Sequence, residues 1–573
     1  MKQPFGEAVF SVNFALLFLS PYQYNINTIP AALYAHGLRY AVISPGSRNA
    51  PLIMAFARFK KITCISVPDE RTAGFVALGI SKQLQQPAAV ICTSGTAVLN
   101  LYPAVAEAYY MQVPFIVLTA DRPAEMIDRW DGQTIRQYEV FKPHIRCSLQ
   151  TPEQLTTDCV NEITTLINQL YSEATLNVCG PVHMNVPLAE PLYAAAHEVF
   201  DYPSIRVSDS MTDPSTIFEL PSFDFSANKK IMILLGAGNP SESSEALQTI
   251  ARQGHAMVIG DIISNRLSAI NIPSWEGLLL LNTNELRQDF VPDLLITTGK
   301  MVLNKALRNL LRKQPPAQHW HVSATGFSAD TFFTNPLVIK ATENSFFDAL
   351  VAQLPQEPSS YFNAWSQKAQ QFEHQTETIT CAGYNEFNAV AHVLNTLPQN
   401  TVLHLANSMS IRYVAYLAGK TNPAWEIYSN RGVSGIDGCS STAVGAAMAD
   451  GRPHFLITGD IAFFYDINAF WQRELPKNLK IVLLNNGGGG IFSHIDGPAG
   501  LPELDPYLGT PHSKNAALMA DHFGLQYFSS TDAKELEEAL KKFSRNEGPA
   551  ILEIITEPAV NAAIFKQFKQ QFL

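Results

Sequence analysis

The chain has few cysteines, and none of them are spaced as pairs. Seven are scattered over 573 residues, at positions 64, 92, 147, 159, 179, 381 and 439, with no Cys-x-x-Cys pair. An odd, dispersed set argues against both a disulfide framework and a zinc site of the usual spacing. Since reduced thiols are typical of the cytoplasm, we expect a cytoplasmic protein with free cysteines.

Charge and long apolar runs are also scarce. Charged residues make up 16% of the chain and the formal net charge is −11, which argues against a nucleic-acid or membrane-surface partner. An anionic small-molecule substrate is still compatible with this net charge, because a local arginine cluster decides whether it binds. The apolar N-terminal stretch 8–19 is shorter than the roughly 20 residues that span a membrane. Without a basic flank or a clean cleavage site, it is predicted to be an extension or packed segment rather than a signal peptide.

Short apolar strands that alternate with helical segments are abundant. The length predicts three or four domains, and the alternation predicts an α/β protein with parallel sheets. Three Rossmann-like strand-helix blocks follow one another, with predicted domains at 1–200, 201–375 and 376–573. We call them blocks one, two and three. An irregular linker is predicted at 202–228, and a Gln-rich helical connector at 362–380.

Block two contains an incomplete dinucleotide fingerprint. Gly236-Ala-Gly238 follows a predicted strand, but the third glycine of G-x-G-x-x-G is missing and Pro240 follows at once. A lone G-x-G is a weak indicator. We therefore interpret this segment as a structural turn.

Two predicted strands in block three each end at a potential metal ligand. One is followed by Gly459-Asp460 and the other by Asn486, 26 residues after Asp460. Parallel sheets bind ligands at the carboxyl ends of their strands. The spacing leaves room for one crossover helix between adjacent strands, predicted at 466–474.

These residue types suit a divalent cation that is bound to a diphosphate. Asp460 offers a carboxylate, Asn486 an uncharged amide carbonyl, and Gly488 a backbone carbonyl. Mg²⁺ or Mn²⁺ can share such a site with phosphate oxygens and water, and the glycines at 487–490 let the backbone approach closely. The pattern resembles the diphosphate-binding motif of thiamine diphosphate enzymes. The alternative is an ordinary turn at a strand end.

An acidic residue in block one fits the other half of a thiamine site. Asp69-Glu70 follows a predicted strand at 61–67 and begins a helix that is rich in small residues. The Glu70 carboxylate can hold the aminopyrimidine ring in its imino form, whose nitrogen takes the proton from C2 of the thiazolium. The alternative is that both acids only favour the helix N-terminus through its dipole.

A second polar segment of block one, Ser94-Gly95-Thr96, also follows a strand end. Its hydroxyl and backbone N–H groups would line the same cofactor cleft. An ordinary helix N-cap is the structural alternative, and the two roles are compatible.

Four motifs together resemble one family. They are Ser44-Pro-Gly-Ser-Arg-Asn-Ala-Pro-Leu52, Thr119-Ala-Asp-Arg-Pro123, Gln133-Thr-Ile-Arg-Gln137 and Ser429-Asn-Arg-Gly-Val-Ser-Gly-Ile-Asp-Gly438. The chain resembles 2-succinyl-5-enolpyruvyl-6-hydroxy-3-cyclohexene-1-carboxylate synthase, a thiamine diphosphate enzyme of menaquinone biosynthesis. The resemblance implies pyrimidine-binding, central and diphosphate-binding domains in chain order. It also implies decarboxylation of 2-oxoglutarate and addition of the succinyl-semialdehyde carbanion to isochorismate.

The resemblance assigns roles to residues within these motifs. Both substrates are dicarboxylates, and the planar fork of arginine suits carboxylates. The residues implied on the isochorismate side are Ser47, Arg48, Arg122 and Gln133. Those implied at the distal carboxylate of 2-oxoglutarate are Ser408 and Arg412, with Arg431 close to both substrates. Those implied around the thiazolium are Ile436, as an apolar wedge that bends the cofactor, and Ile491 and Phe492 as lining.

Two positions depart from the family pattern. Gly132 precedes Gln133, where some relatives carry asparagine, so one polar substrate contact is absent. In block two, Lys305-Ala306 stands where relatives often carry Lys-Arg. Lys305 is expected to keep a carboxylate contact there.

The resemblance also implies an oligomer. Glu70 lies in block one and Asp460 in block three, and in this family the two halves of a site come from different subunits. We therefore expect at least an obligate dimer, and a homotetramer built from two such dimers.

Three other functions stay open at this point. The nearest is another thiamine diphosphate-dependent 2-oxoacid decarboxylase or carboligase, which would not consume isochorismate. A nicotinamide or flavin oxidoreductase would use block two, and flavin absorbance would identify the flavin form. A non-catalytic scaffold is the third, and the intact Glu70, Asp460 and Asn486 argue against it.

Overall fold

Three parallel sheets form the frame of the molecule, one in each predicted block. The computed structural model describes residues 21–153, 159–195, 198–207, 218–239, 244–280, 288–380, 383–494 and 498–570. The predicted α/β class with three parallel-sheet units is confirmed. The exact domain boundaries stay predictions, and one helix, Ser360–Thr380, runs across the boundary that we predicted at 375. The N-terminal stretch 8–19 and Cys381 lie outside the described residues, and the other six cysteines are free.

The first sheet has the strand order β2-β1-β3-β4-β6-β5. Its strands are β1 Tyr40–Ile43, β2 Thr63–Ser66, β3 Ala88–Cys92, β4 Phe115–Asp121, β5 Ser148–Gln150 and β6 Pro181–Pro187. The helices of this block are α1 Pro21–Ala35, α2 Ala50–Phe59, α3 Glu70–Leu84, α4 Thr96–Asn100, α5 Tyr102–Met111 and α6 Cys159–Thr175. Strands β3, β4 and β6 are buried along their whole length, as expected for a sheet that is covered on both faces.

The second sheet has the order β11-β10-β9-β7-β8. Its strands are β7 Ile231–Leu235, β8 Met257–Gly260, β9 Leu294–Thr298, β10 Gln318–Val322 and β11 Leu337–Ile339. The helices of this block are α7 Glu245–Gln253, α8 Trp275–Leu278, α9 Lys305–Lys313 and α10 Glu343–Val351, and the connector α11 Ser360–Thr380 follows them. A Cβ at Gly236 would lie 2.5 Å from the Lys300 carbonyl oxygen, so this glycine forms a tight turn against the neighbouring strand end.

The third sheet has the order β13-β12-β14-β15-β17-β16. Its strands are β12 Val402–Leu405, β13 Glu426–Tyr428, β14 His454–Gly459, β15 Leu479–Asn485, β16 Gln526–Ser530 and β17 Ala550–Ile555. The helices of this block are α12 Glu386–Leu394, α13 Met409–Tyr416, α14 Cys439–Ala449, α15 Asp460–Tyr465, α16 Ile491–His494, α17 Ala517–Phe523, α18 Ala533–Arg545 and α19 Pro558–Gln570. Across the described ranges, no helix combines the length and the apolar character needed to cross a bilayer.

The predicted crossover helix at 466–474 is wrong. The helix after β14 begins at once with Asp460 and ends at Tyr465, and only a short 3₁₀ turn, Ile467–Phe470, follows it. The buried Asp466 carboxylate instead accepts hydrogen bonds from the backbone N–H and the hydroxyl of Ser441, each at 2.7 Å. It therefore caps the first turn of α14 rather than starting a helix of its own.

Each sheet has a switch point beside its first strand in the chain, and polar loops meet there. The switch point lies between β1 and β3, between β7 and β9, and between β12 and β14. Such switch points open crevices at the carboxyl ends of the strands. Blocks one and three also contact each other directly, because Gly79 on α3 lets that helix approach the backbone of α14 at Thr442. The fold thus places a crevice in each block and packs the outer two blocks together.

Candidate active site

A cavity of about 400 Å³ opens at the switch point of the third sheet. All of its lining residues belong to block three. They include every site residue that the sequence predicted in this block: Ser408, Arg412, Arg431, Ile436, Gly459, Asp460, Asn486, Gly488, Ile491 and Phe492. The strand ends of β12, β14 and β15 bring these residues together although they are far apart in the chain.

Asp460 lies at the floor of this cavity. Its carboxylate accepts the backbone N–H of Ile461 at 2.6 Å and that of Gly488 at 2.9 Å. His512 Nε2 lies 3.4 Å from Asp460 Oδ2. Burial raises the pKa of Asp460, whereas the amide hydrogen bonds and His512 lower it. The carboxylate is thus held in place by its surroundings, with the loop of Gly488 drawn against it.

Asn486 is oriented by a buried glutamate. Its Nδ2 donates to Glu386 Oε1 at 2.8 Å, and Tyr413 donates to the other oxygen of Glu386 at 2.9 Å. This arrangement leaves Asn486 Oδ1 buried without a hydrogen-bond partner among the described residues. An unpaired buried acceptor is costly unless a ligand satisfies it. Burial raises the pKa of Glu386 to about 7.

These features fit a cation that bridges the protein and a diphosphate. Asn486 Oδ1 and the Asp460 carboxylate line the same cavity. Within the described part of the chain no group of three or more His, Cys, Asp and Glu residues could hold a metal. A metal at this position would thus need further oxygen atoms from a ligand, as Mg²⁺ usually does when it binds phosphates.

The same cavity has room for an anion beside these ligands. Gly459 lines it, and a Cβ there would meet no described atom within 4 Å. The first residues of α13 also face the cavity, and Ser408 precedes them with a positive φ of 75°. Free N–H groups at a helix N-terminus favour phosphate groups. The residues present therefore fit a diphosphate as well as its metal.

Two arginines enter the cavity without an acidic partner. Arg412 Nη1 donates to the Ser408 carbonyl at 2.5 Å, and Arg431 Nη1 donates to Asn407 Oδ1 at 2.7 Å. Among the described residues, no carboxylate lies within ion-pair distance of either guanidinium. Burial lowers the pKa of both groups, but arginine stays charged in proteins. Two half-buried cations that face one cavity are suited to bind a carboxylate.

The predicted isochorismate-side residues form a separate cluster in block one. Arg122 follows β4, and its guanidinium donates to Asp131 at 2.9 Å and to the Gly132 carbonyl at 2.6 Å. Its Nη1 also lies 3.5 Å from the Ser94 hydroxyl. Gln133 has a positive φ of 58° and its backbone packs against Gly95. The second glutamine of that motif, Gln137, is buried and anchors the loop instead of reaching solvent.

Arg48 and Ser47 lie on the loop after β1, next to this cluster. Arg48 donates to the Leu188 carbonyl at 2.8 Å and lies 3.7 Å from Glu190. A Cβ at Gly46 would lie 2.4 Å from Thr93, so the loop packs tightly on the end of β3. Ser47 is exposed. The two loops flank the switch point of the first sheet, where the resemblance places substrate contacts.

Glu70 is the first residue of α3, as the sequence predicted. Asp69 caps this helix by accepting the Thr72 N–H at 3.1 Å. For Asp69 the alternative interpretation, that it stabilises the helix N-terminus, is therefore correct. Burial raises the pKa of the half-buried Glu70 carboxyl. Glu70 does not line the block-three cavity of its own chain.

Lys305 is less well placed than the other predicted residues. It is the exposed first residue of α9 and lines neither the block-three cavity nor a second cavity of about 680 Å³ at the switch point of block two. Arg431 lines both cavities. Sequence reasoning missed Glu386 and His512, because both act through other side chains and neither stands in a recognisable motif.

Comparisons with known proteins agree with this geometry. Residues 27–140 match the family described as thiamine pyrophosphate enzyme, N-terminal TPP binding domain, and residues 414–554 match the corresponding C-terminal TPP binding domain. The chain is 39% identical to the 2-succinyl-5-enolpyruvyl-6-hydroxy-3-cyclohexene-1-carboxylate synthase of Flavobacterium johnsoniae, over 93% of this chain and 96% of the relative. It is 39% identical to the synthase of the same name from Cytophaga hutchinsonii, over 95% and 98%. The identity to that of Desulfotalea psychrophila is 36%, over 91% and 96%.

Proposed function

This chain belongs to the family of 2-succinyl-5-enolpyruvyl-6-hydroxy-3-cyclohexene-1-carboxylate synthases, and from that premise we propose that it catalyses the same reaction. With bound thiamine diphosphate it decarboxylates 2-oxoglutarate and adds the remaining four-carbon unit to isochorismate. The observation that carries this proposal is that Arg412 and Arg431 reach the cavity of Asp460 and Asn486 and form no ion pair with any described carboxylate.

The block-three cavity would hold the diphosphate end of the cofactor. Asp460, Asn486 and the Gly488 carbonyl are the proposed ligands of Mg²⁺ or Mn²⁺, and the N-terminus of α13, which lines the cavity, would face the phosphates. The bound cofactor supplies the nucleophilic C2 carbon on which a 2-oxoacid can lose CO₂. Ile436 would support the bent conformation of the cofactor from within the same cavity.

The substrates are distinguished by position. Arg412 follows β12 at the proposed thiazolium end of the cavity, where it would hold the distal carboxylate of 2-oxoglutarate together with Ser408. Arg48, Arg122 and Gln133 lie in block one and would bind isochorismate. A carboxylate that binds two guanidinium forks gains both strength and orientation.

The site would be completed by a second copy of the chain. The block-three cavity has no lining residue from block one, yet the aminopyrimidine ring needs a carboxylate such as Glu70 to hold its proton. We propose that Glu70 of one protomer faces the cavity of its partner. The smallest active form would then be a dimer, and a homotetramer would consist of two such dimers.

Complementation tests the shared site directly. Glu70→Gln and Asp460→Ala chains would be inactive alone, but a co-expressed hybrid dimer would contain one site with both native residues. Recovery of activity in the hybrid is expected, and purified homodimers of each variant are the controls. If Glu70 and Asp460 act within one chain, every site in the hybrid lacks one of them and activity stays absent.

A reconstitution assay tests the reaction. Enzyme, thiamine diphosphate, Mg²⁺ or Mn²⁺ and 2-oxoglutarate should consume isochorismate with release of CO₂, and omission of cofactor or metal should stop both. The alternative, another thiamine diphosphate-dependent 2-oxoacid decarboxylase or carboligase, would release CO₂ and leave isochorismate untouched. That result would refute the proposed acceptor while leaving the cofactor assignment in place.

A further inference from the structure

The 429–438 loop, which carries Arg431 and Ile436 into the cofactor cavity, is held by two buried side chains of block one. Lys82 lies on α3 and Glu107 on α5, and their exposed fractions are 5% and 1%. Lys82 Nζ donates to the Ser429 carbonyl at 2.9 Å. The loop therefore begins at a contact with another block of the same chain.

Glu107 binds the loop immediately after Arg431. Its Oε1 accepts the Gly432 N–H and its Oε2 accepts the Val433 N–H, both at 2.8 Å. Because both oxygens accept hydrogen bonds, the geometry suits an ionised carboxylate, which has no proton to place against an N–H. A Cβ at position 432 would lie 2.6 Å from the Glu107 carbonyl oxygen, so Gly432 allows the loop to lie directly on α5.

The charges around the two side chains favour this arrangement. Burial raises the pKa of Glu107, while Lys82, the two amides and Arg431 lower it. Burial lowers the pKa of Lys82 to about 8, and Glu107 raises it. Removal of one member of a buried charged set leaves the others without compensation, which costs more than the loss of a surface pair.

Block three holds the loop from the other side. Asn407 Nδ2 donates to the Asn430 carbonyl at 2.7 Å, and Asn407 Oδ1 accepts from Arg431 Nη1 at 2.7 Å. The loop is thus fixed between Asn407 on one side and Lys82 and Glu107 on the other. The position of the Arg431 guanidinium depends on both sets of contacts.

We propose that Glu107 and Lys82 are positioning residues that hold the 429–438 loop so that Arg431 binds the distal carboxylate of 2-oxoglutarate beside Arg412. This inference rests on the proposed function. Neither side chain lines the cofactor cavity, so neither acts on the substrate directly. Asp460 and Asn486, which would hold the diphosphate, are hydrogen-bonded to Gly488 and Glu386 and not to this pair, so cofactor binding should be unaffected by its loss.

Hydrogen–deuterium exchange tests, without any substrate, whether Glu107 and Lys82 hold the 429–438 loop. In Glu107→Gln an amide N–H₂ faces a backbone N–H, so exchange of peptides that cover 429–438 should accelerate about tenfold or more. Gln83→Ala is the matched control, because Gln83 lies on α3 and donates to Asp450 at 2.9 Å and to Glu426 at 3.4 Å, neither of which belongs to the loop. Unchanged exchange of the loop in Glu107→Gln would overturn the proposal.

Steady-state kinetics then test the consequence for the substrate. The kcat/KM for 2-oxoglutarate in Glu107→Gln should fall roughly ten- to a hundredfold, mainly through KM, with unchanged affinity for thiamine diphosphate. The double variant with Lys82→Met should lose less than the product of the two single effects, because both act on one loop. Fully multiplicative losses, or equal weakening of cofactor binding, would indicate general destabilisation and contradict the proposal.

The proposal can still be tested if Glu107→Gln does not fold. If Glu107→Gln shows no cooperative unfolding transition, Lys82→Met and Lys82→Arg carry the same measurements. Lys82→Met should raise the KM for 2-oxoglutarate and the exchange rate of the loop, and Lys82→Arg should bring both part of the way back to the native values. A Lys82→Met variant with native KM and native exchange would refute the proposal. If the native enzyme forms no product from isochorismate, the proposed function fails, and exchange alone still decides whether the loop is held.

Discussion

The predicted site residues of block three and of block one are held in different ways. In block three they line one cavity, and Asp460 and Asn486 are fixed by buried contacts within the same chain. In block one, Arg48 is buried near Glu190 and Arg122 is paired with Asp131, while Ser47 and Gln133 are exposed. The proposed cofactor end of the site is thus preorganised with groups left for a ligand, whereas both arginines of the proposed acceptor end already face acidic side chains.

This difference assigns separate tasks to the two regions. A buried acceptor without a partner, such as Asn486 Oδ1, is costly until a ligand satisfies it, and a half-buried guanidinium without an ion pair, such as that of Arg412, is available to an anion. A ligand that binds Arg48 or Arg122 must instead compete with an acidic side chain. We therefore expect substitutions in block three to weaken binding of the cofactor and of 2-oxoglutarate. We expect substitutions in block one to impair carboligation, the step that also needs isochorismate.

The largest expected effect is the loss of the cofactor in Asp460→Ala. This change removes the only carboxylate proposed as a metal ligand, so thiamine diphosphate affinity measured by calorimetry with Mg²⁺ should fall by more than about a hundredfold, beyond the usual effect of an outer-shell change. Asp521→Ala, at an exposed position of the same block, is the control and should bind normally. Native affinity in Asp460→Ala would refute the metal assignment.

The second effect concerns proton transfer rather than binding. Glu70→Gln should bind the cofactor but slow exchange of its C2 proton by roughly 10²–10⁴-fold, the usual contribution of a positioned acid–base group. NMR-monitored exchange at C2 is the measurement. Asp69→Asn is the matched control, because asparagine caps a helix about as well as aspartate; it removes a charge that raises the pKa of Glu70 but keeps the Glu70 carboxylate, so the exchange rate should stay close to the native one. A normal rate in Glu70→Gln would remove Glu70 from the proton path.

Most of this framework could be predicted from the sequence because it depends on local patterns. Buried parallel strands give continuous apolar runs, and the ligands of block three directly follow two of them. The three strands that sequence reasoning missed, β5, β11 and β16, all lie at sheet edges and are partly exposed. A partly exposed strand has a weak apolar pattern, which distinguishes it poorly from a loop.

Contacts between distant segments could not be predicted in this way. The sequence does not show that Asn486 meets Glu386, 100 residues earlier in the chain. It also does not show that Gln137 is a buried anchor while Gln133, in the same motif, is exposed. Both facts depend on which side of a folded loop faces the sheet.

The third effect distinguishes the role of Arg412 in block three from that of Arg48 in block one. Arg412→Ala should reduce the use of 2-oxoglutarate roughly ten- to a hundredfold, because one charge-assisted hydrogen bond contributes about 1.5–3 kcal/mol. The loss should appear in the decarboxylation half-reaction, followed as CO₂ release without acceptor. Arg48→Ala should leave that half-reaction nearly intact and impair carboligation. Equal loss of the first half-reaction in both variants would show that the two regions do not divide the substrates.

The smallest expected effect tests whether block three is preorganised by its buried contacts. Glu386 accepts a hydrogen bond from Asn486 Nδ2 and so turns Oδ1 of that amide toward the cavity. Glu386→Ala frees the amide to rotate, and metal affinity should fall about tenfold, the low end of the usual range for such residues, because Asp460 and the Gly488 carbonyl are still present. Calorimetric titration with Mn²⁺ in the presence of thiamine diphosphate measures it. Glu386→Gln can still accept from Asn486 through its carbonyl oxygen, so its affinity should lie between those of the native chain and Glu386→Ala. If all three proteins bind Mn²⁺ equally, the orientation of Asn486 does not depend on Glu386, and block three is less strongly prearranged than these contacts indicate.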